Sequence, residues 1–389
     1  MHTIKTYNKI ADSGLDILRQ KGYTIDENAP DAQGIILRSH KLQPEEVTPS
    51  VLAIARAGAG YNNVPVDHCS EQGVVVFNTP GANANGVKEL VIAGMLLSSR
   101  RVYPALAWAQ TIKDQGEEVP KLIEKEKARF AGPEIGGKTL GVIGLGAIGV
   151  LVANAAVALG MRVIGYDPFL SVESAWGMSA AVEKAGNPDQ VYQQADYISI
   201  HVPQNEKTKG MINSESIAKM KDSARILNFA RGGLVDNDAV IKALDAGKLA
   251  AYVTDFPDAS LLGRDDVIAI PHLGASTPES EENCAIMAAN QIDEFLRHGN
   301  IVNSVNFPAC ALPFSSKTRL TVSNRNVPKM VGQITTVLAD AGINIDDMMN
   351  RHRDDIAYNI IDVDADIDNS VVETLRKIDG VIGVRVLTA

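Results

Sequence analysis

Residues 139–149 read "TLGVIGLGAIG", followed by "VLVANAAVALG" (150–160) and "MRVIGYD" (161–167). An apolar run meets a glycine turn, an alanine-rich stretch ends at Gly160, and a second apolar run ends on Asp167. Near-continuous apolar strands separated by helices predict a parallel sheet covered on both faces. Gly144, Gly146 and Gly149 form G-x-G-x-x-G between strand and helix. Such glycines allow a tight turn, a close approach of pyrophosphate and close helix–sheet packing, and the helix N-terminus favours the phosphate charge. Alone, the pattern could be a tight strand–helix turn with no ligand. Asp167, 18 positions after Gly149, adds an independent signal. Its carboxylate can accept both hydroxyls of an adenosine ribose and would repel a 2′-phosphate, which favours NAD over NADP.

The same pattern continues in "ADYISIHVP" (195–203), "ARILNFARGG" (224–233) and "DVIAIPHLG" (266–274), each an apolar run ending in polar residues. Upstream, "GIILRS" (34–39), "VLAIARAG" (51–58) and "VVVFNTP" (74–80) are short strands punctuated by Gly and Pro. "FPACALPFSSK" (307–317) has no periodicity and reads as a linker. Beyond it, "RLTVSN", a helix from Pro328 to Ala341 with Val331, Ile334 and Leu338 on one face, "AYNIIDVDA", "SVVETLRKI" and "VIGVRVL" predict a small α/β sandwich. The expected organisation of the 389 residues is a substrate domain over 1–95 completed by 284–306, a Rossmann-type doubly wound sheet over 96–283, a linker over 307–317, and a βαββαβ domain over 318–389.

A net charge of −10 argues against nucleic acid as a partner, because phosphate backbones need a basic surface. Any anionic substrate must then be met by locally gathered cations. No run is long enough to span a membrane, and "MHTIKTYNKIADSG" lacks the apolar core of a signal peptide, so a cytoplasmic protein is expected. Cys69, Cys284 and Cys310 have no metal-binding spacing; free, packed thiols and no metal centre are expected.

Two residues at strand ends carry candidate chemistry. Arg231 follows an apolar strand and precedes two glycines, where open α/β sheets bind ligands, and its guanidinium can hold a carboxylate or polarise a carbonyl. His272 closes another strand, and an imidazole can take a hydroxyl proton as hydride departs. Read without ligands, Arg231 is a surface arginine in a turn and His272 a satisfied core histidine.

The motifs "GVIGLGAIG…YDP", "LNFARGGLVD" and "PHLGAST", in that order, resemble the D-isomer-specific 2-hydroxyacid dehydrogenases. The resemblance covers almost the whole chain and implies a flavodoxin-like substrate domain beside the Rossmann domain. It gives Arg231 the substrate carboxylate and carbonyl, and His272 the acid/base role. It assigns NAD contacts to Ala147, Ile148, Asp167, Val202, Pro203, Phe229, Ala230 and Asp255, and to Gly274 and Ala275 of "PHLGAST". The family's histidine is usually paired with a glutamate in a "DVFxxEP" segment. Here "TDFPDASLL" has none, and Asp258 is the nearest carboxylate, expected to fix the tautomer of His272.

Family substrates enter between the first two domains. "LRSHK" offers Arg38, Ser39, His40 and Lys41, and "ARAGAGYNNV" offers Arg56, Gly58 and Gly60, whose amides could wrap a carboxylate. On the same resemblance Arg38 is the expected phosphate ligand. The C-terminal domain resembles the ACT domain through "NRNVP" and "AGINI" and points, within the family, to NAD-dependent oxidation of 3-phosphoglycerate, the first step of serine synthesis. It implies Asn324, Asn326 and Asn344 as ligands of an amino-acid effector, L-serine, and a homodimer or homotetramer. The competing readings are a dimerisation module at the C-terminus and, for the whole chain, a glyoxylate or hydroxypyruvate reductase or an NAD-sensing protein without turnover.

Overall fold

The computed structural model describes residues 2–388 and forms two compact units, one of residues 1–83 with 278–389 and the other of residues 84–277. In the first, β1 (Thr3–Tyr7), β2 (Thr24–Ile25), β3 (Gly34–Leu37), β4 (Ala53–Arg56) and β5 (Val75–Phe77) form a parallel sheet in the order β2-β1-β3-β4-β5, the flavodoxin-like order. One face packs Ile4, Ile36 and Phe77 against Leu15 and Leu18 of the Asp12–Gln20 helix and Ala288, Ile292 and Phe295 of the Pro278–His298 helix. A Cβ at Gly14 would stand 2.5 Å from the Ala285 backbone, so only glycine lets these two helices approach. The other face packs Ile35, Leu37, Ile54, Cys69 and Val76.

In the second unit, β6 (Thr139–Ile143), β7 (Arg162–Tyr166), β8 (Val182–Lys184), β9 (Tyr197–Ile200), β10 (Ala224–Asn228), β11 (Leu249–Thr254) and β12 (Val267–Ala269) form a wholly parallel sheet in the order β12-β11-β10-β9-β6-β7-β8. Every residue of β6 and β9 is buried, as expected for strands covered on both faces. Strand order reverses between β6 and β9, the switch point at which doubly wound sheets hold ligands outside their strand C-termini.

The expected boundaries at 95/96 and 283/284 are corrected to 83/84 and 277/278. The Ala84–Ser99 helix places Val87, Val91 and Met95 in one core with Leu140, Val142, Phe229 and Val253, so it belongs to the seven-stranded unit from its first turn. The Pro278–His298 helix carries Cys284, Ala285, Ala288 and Ala289 into the five-stranded core and belongs there from its start.

The C-terminal domain consists of β13 (Thr318–Arg325), β14 (Ile345–Arg353), β15 (Ile356–Val363) and β16 (Val381–Thr388), antiparallel in the order β14-β15-β13-β16. The Met330–Asp340 and Asn369–Arg376 helices cover one face, packing Ile334, Leu338 and Leu375 against Leu320, Val322, Ile361 and Val363. The alternate residues of β15, Ile356, Tyr358 and Ile360, join the five-stranded sheet's own core. Arg319 and Asp362, both without solvent exposure, pair at 2.6 Å; Arg319 also donates to the carbonyls of His298 and Leu312 at 2.9 Å. The Tyr358 hydroxyl donates to Gly299 O at 2.7 Å. The 307–317 segment is therefore a packed connection rather than a free linker: Phe307 and Cys310 are 1% exposed, and Cys310 exchanges backbone hydrogen bonds with Ile301. Among the described residues, no helix is long and apolar enough to cross a membrane, and no His, Cys, Asp and Glu cluster could hold a metal ion. The three cysteines are free and buried, and burial pushes the Cys69 thiol up to about 12 and Cys310 to about 11.

Candidate active site

The glycine turn leaves β6 with Gly144 at φ +93°, and a Cβ there would lie 2.6 Å from His201 O. A Cβ at Gly149 would lie 1.9 Å from Gly144 O, whereas the space beside Gly146 is open. The Ala147–Ala158 helix starts at this turn with Gly146 as its N-cap and no side-chain cap, so its first N–H groups remain for a phosphate. Ala147 and Ile148 are the first helical residues. The Asp167 carboxylate, just after β7, accepts from Leu145 N at 2.8 Å and from Phe169 N at 2.8 Å, and is thereby fixed beside the turn. Each oxygen keeps a lone pair for a ribose hydroxyl. Val202 packs against the turn, and the Pro203 carbonyl accepts from Thr208 Oγ1 at 2.6 Å. These residues fit a dinucleotide: a glycine turn that opens at Gly146, an uncapped helix start and an oriented carboxylate.

Along the same C-terminal edge, β10 delivers Arg231, whose exposed guanidinium donates to Ala230 O at 2.6 Å. The turn is held by Asn228, which has no solvent exposure: its Nδ2 donates to Arg231 O at 2.9 Å and its Oδ1 accepts from Ala230 N at 3.2 Å. The sequence reading missed Asn228, although an asparagine closing an apolar strand is a signal that a turn needs a side-chain partner. Phe229 is 5% exposed and belongs to the core, so only its backbone is left to meet a cofactor.

His272 follows β12 with φ +54°, a left-handed conformation that costs free energy for a non-glycine residue. Asp255, which follows β11 and is 1% exposed, imposes it. Its carbonyl accepts from His272 N at 3.1 Å, Oδ1 from Leu273 N at 2.7 Å and Oδ2 from Gly274 N at 2.8 Å. A Cβ at Gly274 would lie 2.9 Å from Asp255 Oδ2, so the glycine admits the carboxylate. The His272 ring is exposed and lies 4.8 Å from the Phe256 ring.

Asp258 is not where the acid/base reading put it. Its carboxylate accepts from the Ser260 hydroxyl, from Asn237 Nδ2 at 2.6 Å and from Ser260 N at 2.9 Å, and these bonds, the hydroxyl's first, hold it below the usual carboxylate range. The shortened loop turns it into an Asx-turn cap. Among the described residues, no carboxylate hydrogen-bonds or ion-pairs with His272. A second histidine on this edge, His201, is pushed down to about 4 by burial and bonds to Ser199 Oγ at 2.8 Å, which leaves it neutral.

In the other unit, Arg38 pairs with Glu281 at 2.6 Å, and Ser39 N donates to Asn8 Oδ1 at 3.0 Å. Arg56 Nε donates to Arg38 O at 3.1 Å, and a Cβ at Gly58 would clash with the Arg56 guanidinium. The Gly58 N–H is committed to Arg56 O at 2.9 Å, so it does not present a bare amide; this corrects the expected amide cradle, of which Gly60 is the remaining member.

The residues suggested for an effector are not all available. Asn324 is 1% exposed; its Nδ2 donates to Arg325 O and its Oδ1 accepts from Asn359 Nδ2 at 2.8 Å, so it is a buried sheet group. Asn326 and Asn344 are exposed. Strand register pairs Arg325 with Ile356 and Ile345 with Val363. Asn344 and Asn326 therefore stand at opposite ends of the sheet, separated by about 23 Å of strand.

The NAD-binding domain of the D-isomer specific 2-hydroxyacid dehydrogenases matches residues 92–274, and the ACT domain matches residues 318–380. The chain belongs to the D-isomer specific 2-hydroxyacid dehydrogenase family. It is 31% identical to D-3-phosphoglycerate dehydrogenase of Haemophilus influenzae over 98% of this chain and 96% of that one. It is 36% identical to D-3-phosphoglycerate dehydrogenase of Methanocaldococcus jannaschii over 82% of this chain, but spans only 59% of that relative, and 58% of the one from Synechocystis. The NAD+-bound 3-phosphoglycerate dehydrogenase of Entamoeba histolytica superposes with a TM-score of 0.62 and 28% identity, covering 78% of this chain and 98% of that structure.

Proposed function

We propose that this protein catalyses NAD-dependent oxidation of D-3-phosphoglycerate to 3-phosphohydroxypyruvate. The observation that carries the reading is the placing of Asp167, Arg231, Asp255 and His272 along one C-terminal sheet edge with the glycine turn. NAD, held by the 144–149 turn and Asp167, supplies the hydride acceptor. The Arg231 fork holds the substrate carboxylate and orients its C2 hydroxyl. His272 takes the hydroxyl proton as the C2 hydrogen departs with its electron pair. In this reading Arg38, with Ser39, Arg56 and Gly60, receives the phosphate. The test is Arg38→Gln assayed with 3-phosphoglycerate and with glycerate. KM for the phosphorylated substrate should rise at least about tenfold, the loss of one charge-assisted hydrogen bond, with little change for glycerate. Equal effects on both would remove the phosphate role.

Assembly and regulation belong to the same reading. The Val102–Thr111 and Val119–Glu126 helices bury no residue and expose Tyr103, Leu106 and Ile123, which suits a second copy of the chain. Asn326 and Asn344 lie too far apart within one ACT domain to share one amino acid, so an L-serine site would join Asn344 of one copy to Asn326 of another. The same reading places the protein in the cytoplasm.

A further inference from the structure

A cavity of about 720 Å³ lies in the first unit where the ACT domain meets the five-stranded sheet. Arg297, Arg376, Arg385, His2 and His298 line it, and among the described residues no carboxylate side chain does. Arg297 is tethered to Asp293 at 3.0 Å and Arg376 to Glu373 at 2.7 Å, but neither acid lines the cavity. Arg385 has no carboxylate partner among the described residues. It donates to Leu296 O at 2.8 Å and to Phe295 O at 3.3 Å, and lies over the Phe295 ring at 4.6 Å. The end of the Pro278–His298 helix supplies only a fractional negative charge, which leaves most of the charge of this half-buried cation uncompensated. His2 reports the same field: burial first, then the Arg385 charge, lowers its pKa. Local positive potential of this kind is unusual in a chain of net charge −10.

We propose that this cavity is a second anion site, for a phosphate dianion carried by a small molecule. The apolar part of its lining, Leu52, Val372 and Val384 among it, suits an organic ester group. The site is separate from the candidate substrate residues. His2 precedes β1 and Leu52 precedes β4, so the cavity lies at the N-terminal edge of the parallel sheet, whereas Arg38 and Arg56 lie at its C-terminal edge, about 13 Å of strand away. Its walls come from both the ACT domain and the flavodoxin-like domain, so a bound anion would hold the two together.

The experiment is thermal unfolding of the full chain with inorganic phosphate or glycerol 2-phosphate, at fixed pH and at ionic strength held by KCl. A saturable rise in Tm is expected with both, tighter for the ester if the natural ligand is organic and equal if it is inorganic phosphate. Arg376→Gln should weaken the midpoint at least about tenfold while kcat and KM for 3-phosphoglycerate stay unchanged. Arg38→Gln should leave the phosphate-induced shift in place. No saturable shift, or a shift lost in Arg38→Gln and kept in Arg376→Gln, would overturn the proposal, the second result placing the anion at the substrate residues alone.

Discussion

Asp255 accepts three backbone bonds' worth of loop through its carbonyl and two carboxylate oxygens, and so holds His272 in a conformation it would not choose. Asp255→Asn keeps the shape but turns an N–H toward a backbone N–H. The cost to stability is about 1–3 kcal/mol. By displacing the imidazole it should also lower kcat by up to about a hundredfold. Stopped-flow and urea unfolding measure the two; unchanged kcat would mean that the loop holds without this clamp. His272→Ala should lower kcat by about 10²–10⁴ with NADH binding intact. Asp258→Asn, whose carboxylate bonds to Asn237 and Ser260, should leave the pH profile of kcat/KM where it was. A shifted acidic limb would restore it as the partner of His272. At this scale the sequence singles out Arg231 and His272 as candidates by type and place. It could not show that Asp258 turns away or that Asn228 ties the arginine turn, because both depend on the loop's path rather than on spacing.

At the scale of elements, the parallel strands were legible because burial on both faces makes them apolar throughout, as in β6 and β9. β14 was not singled out. It is an edge strand with most residues exposed, so "IDDMMNRHR" carries no alternation to read. β13 and β15 hide another fact in plain sight. Arg319 and Asp362 look like surface charges interrupting apolar runs, yet they form a fully buried pair facing the neighbouring core. Arg319→Met leaves Asp362 buried and unpaired, which should cost about 3–5 kcal/mol in urea unfolding. The double variant Arg319→Met with Asp362→Leu should recover most of it. A single variant no worse than the double would mean that water reaches the carboxylate.

For the whole chain, motif order revealed the domain types, but the boundaries moved because helices join whichever core their apolar face fits. The 307–317 segment, with two prolines and no periodicity, read as a tether, and only packing shows Phe307 and Cys310 buried. A chain cut after Ser316 would uncover the face that Ile356, Tyr358 and Ile360 close, each such side chain worth about 1.5–3 kcal/mol when buried. The truncated chain should therefore melt earlier and aggregate, rather than survive as an active enzyme free of control. A truncated chain with native Tm would show that the ACT domain is only appended.

The central claim is tested most directly by following NADH absorbance when the purified full chain meets NAD and 3-phosphoglycerate, with glycerate and with NADP in parallel. Formation of NADH with the phosphorylated acid, at a kcat/KM at least about tenfold above those for glycerate and for NADP, is the predicted result. Turnover of glycerate but not 3-phosphoglycerate, a preference for NADP, or NAD binding with no turnover of either acid would contradict the account.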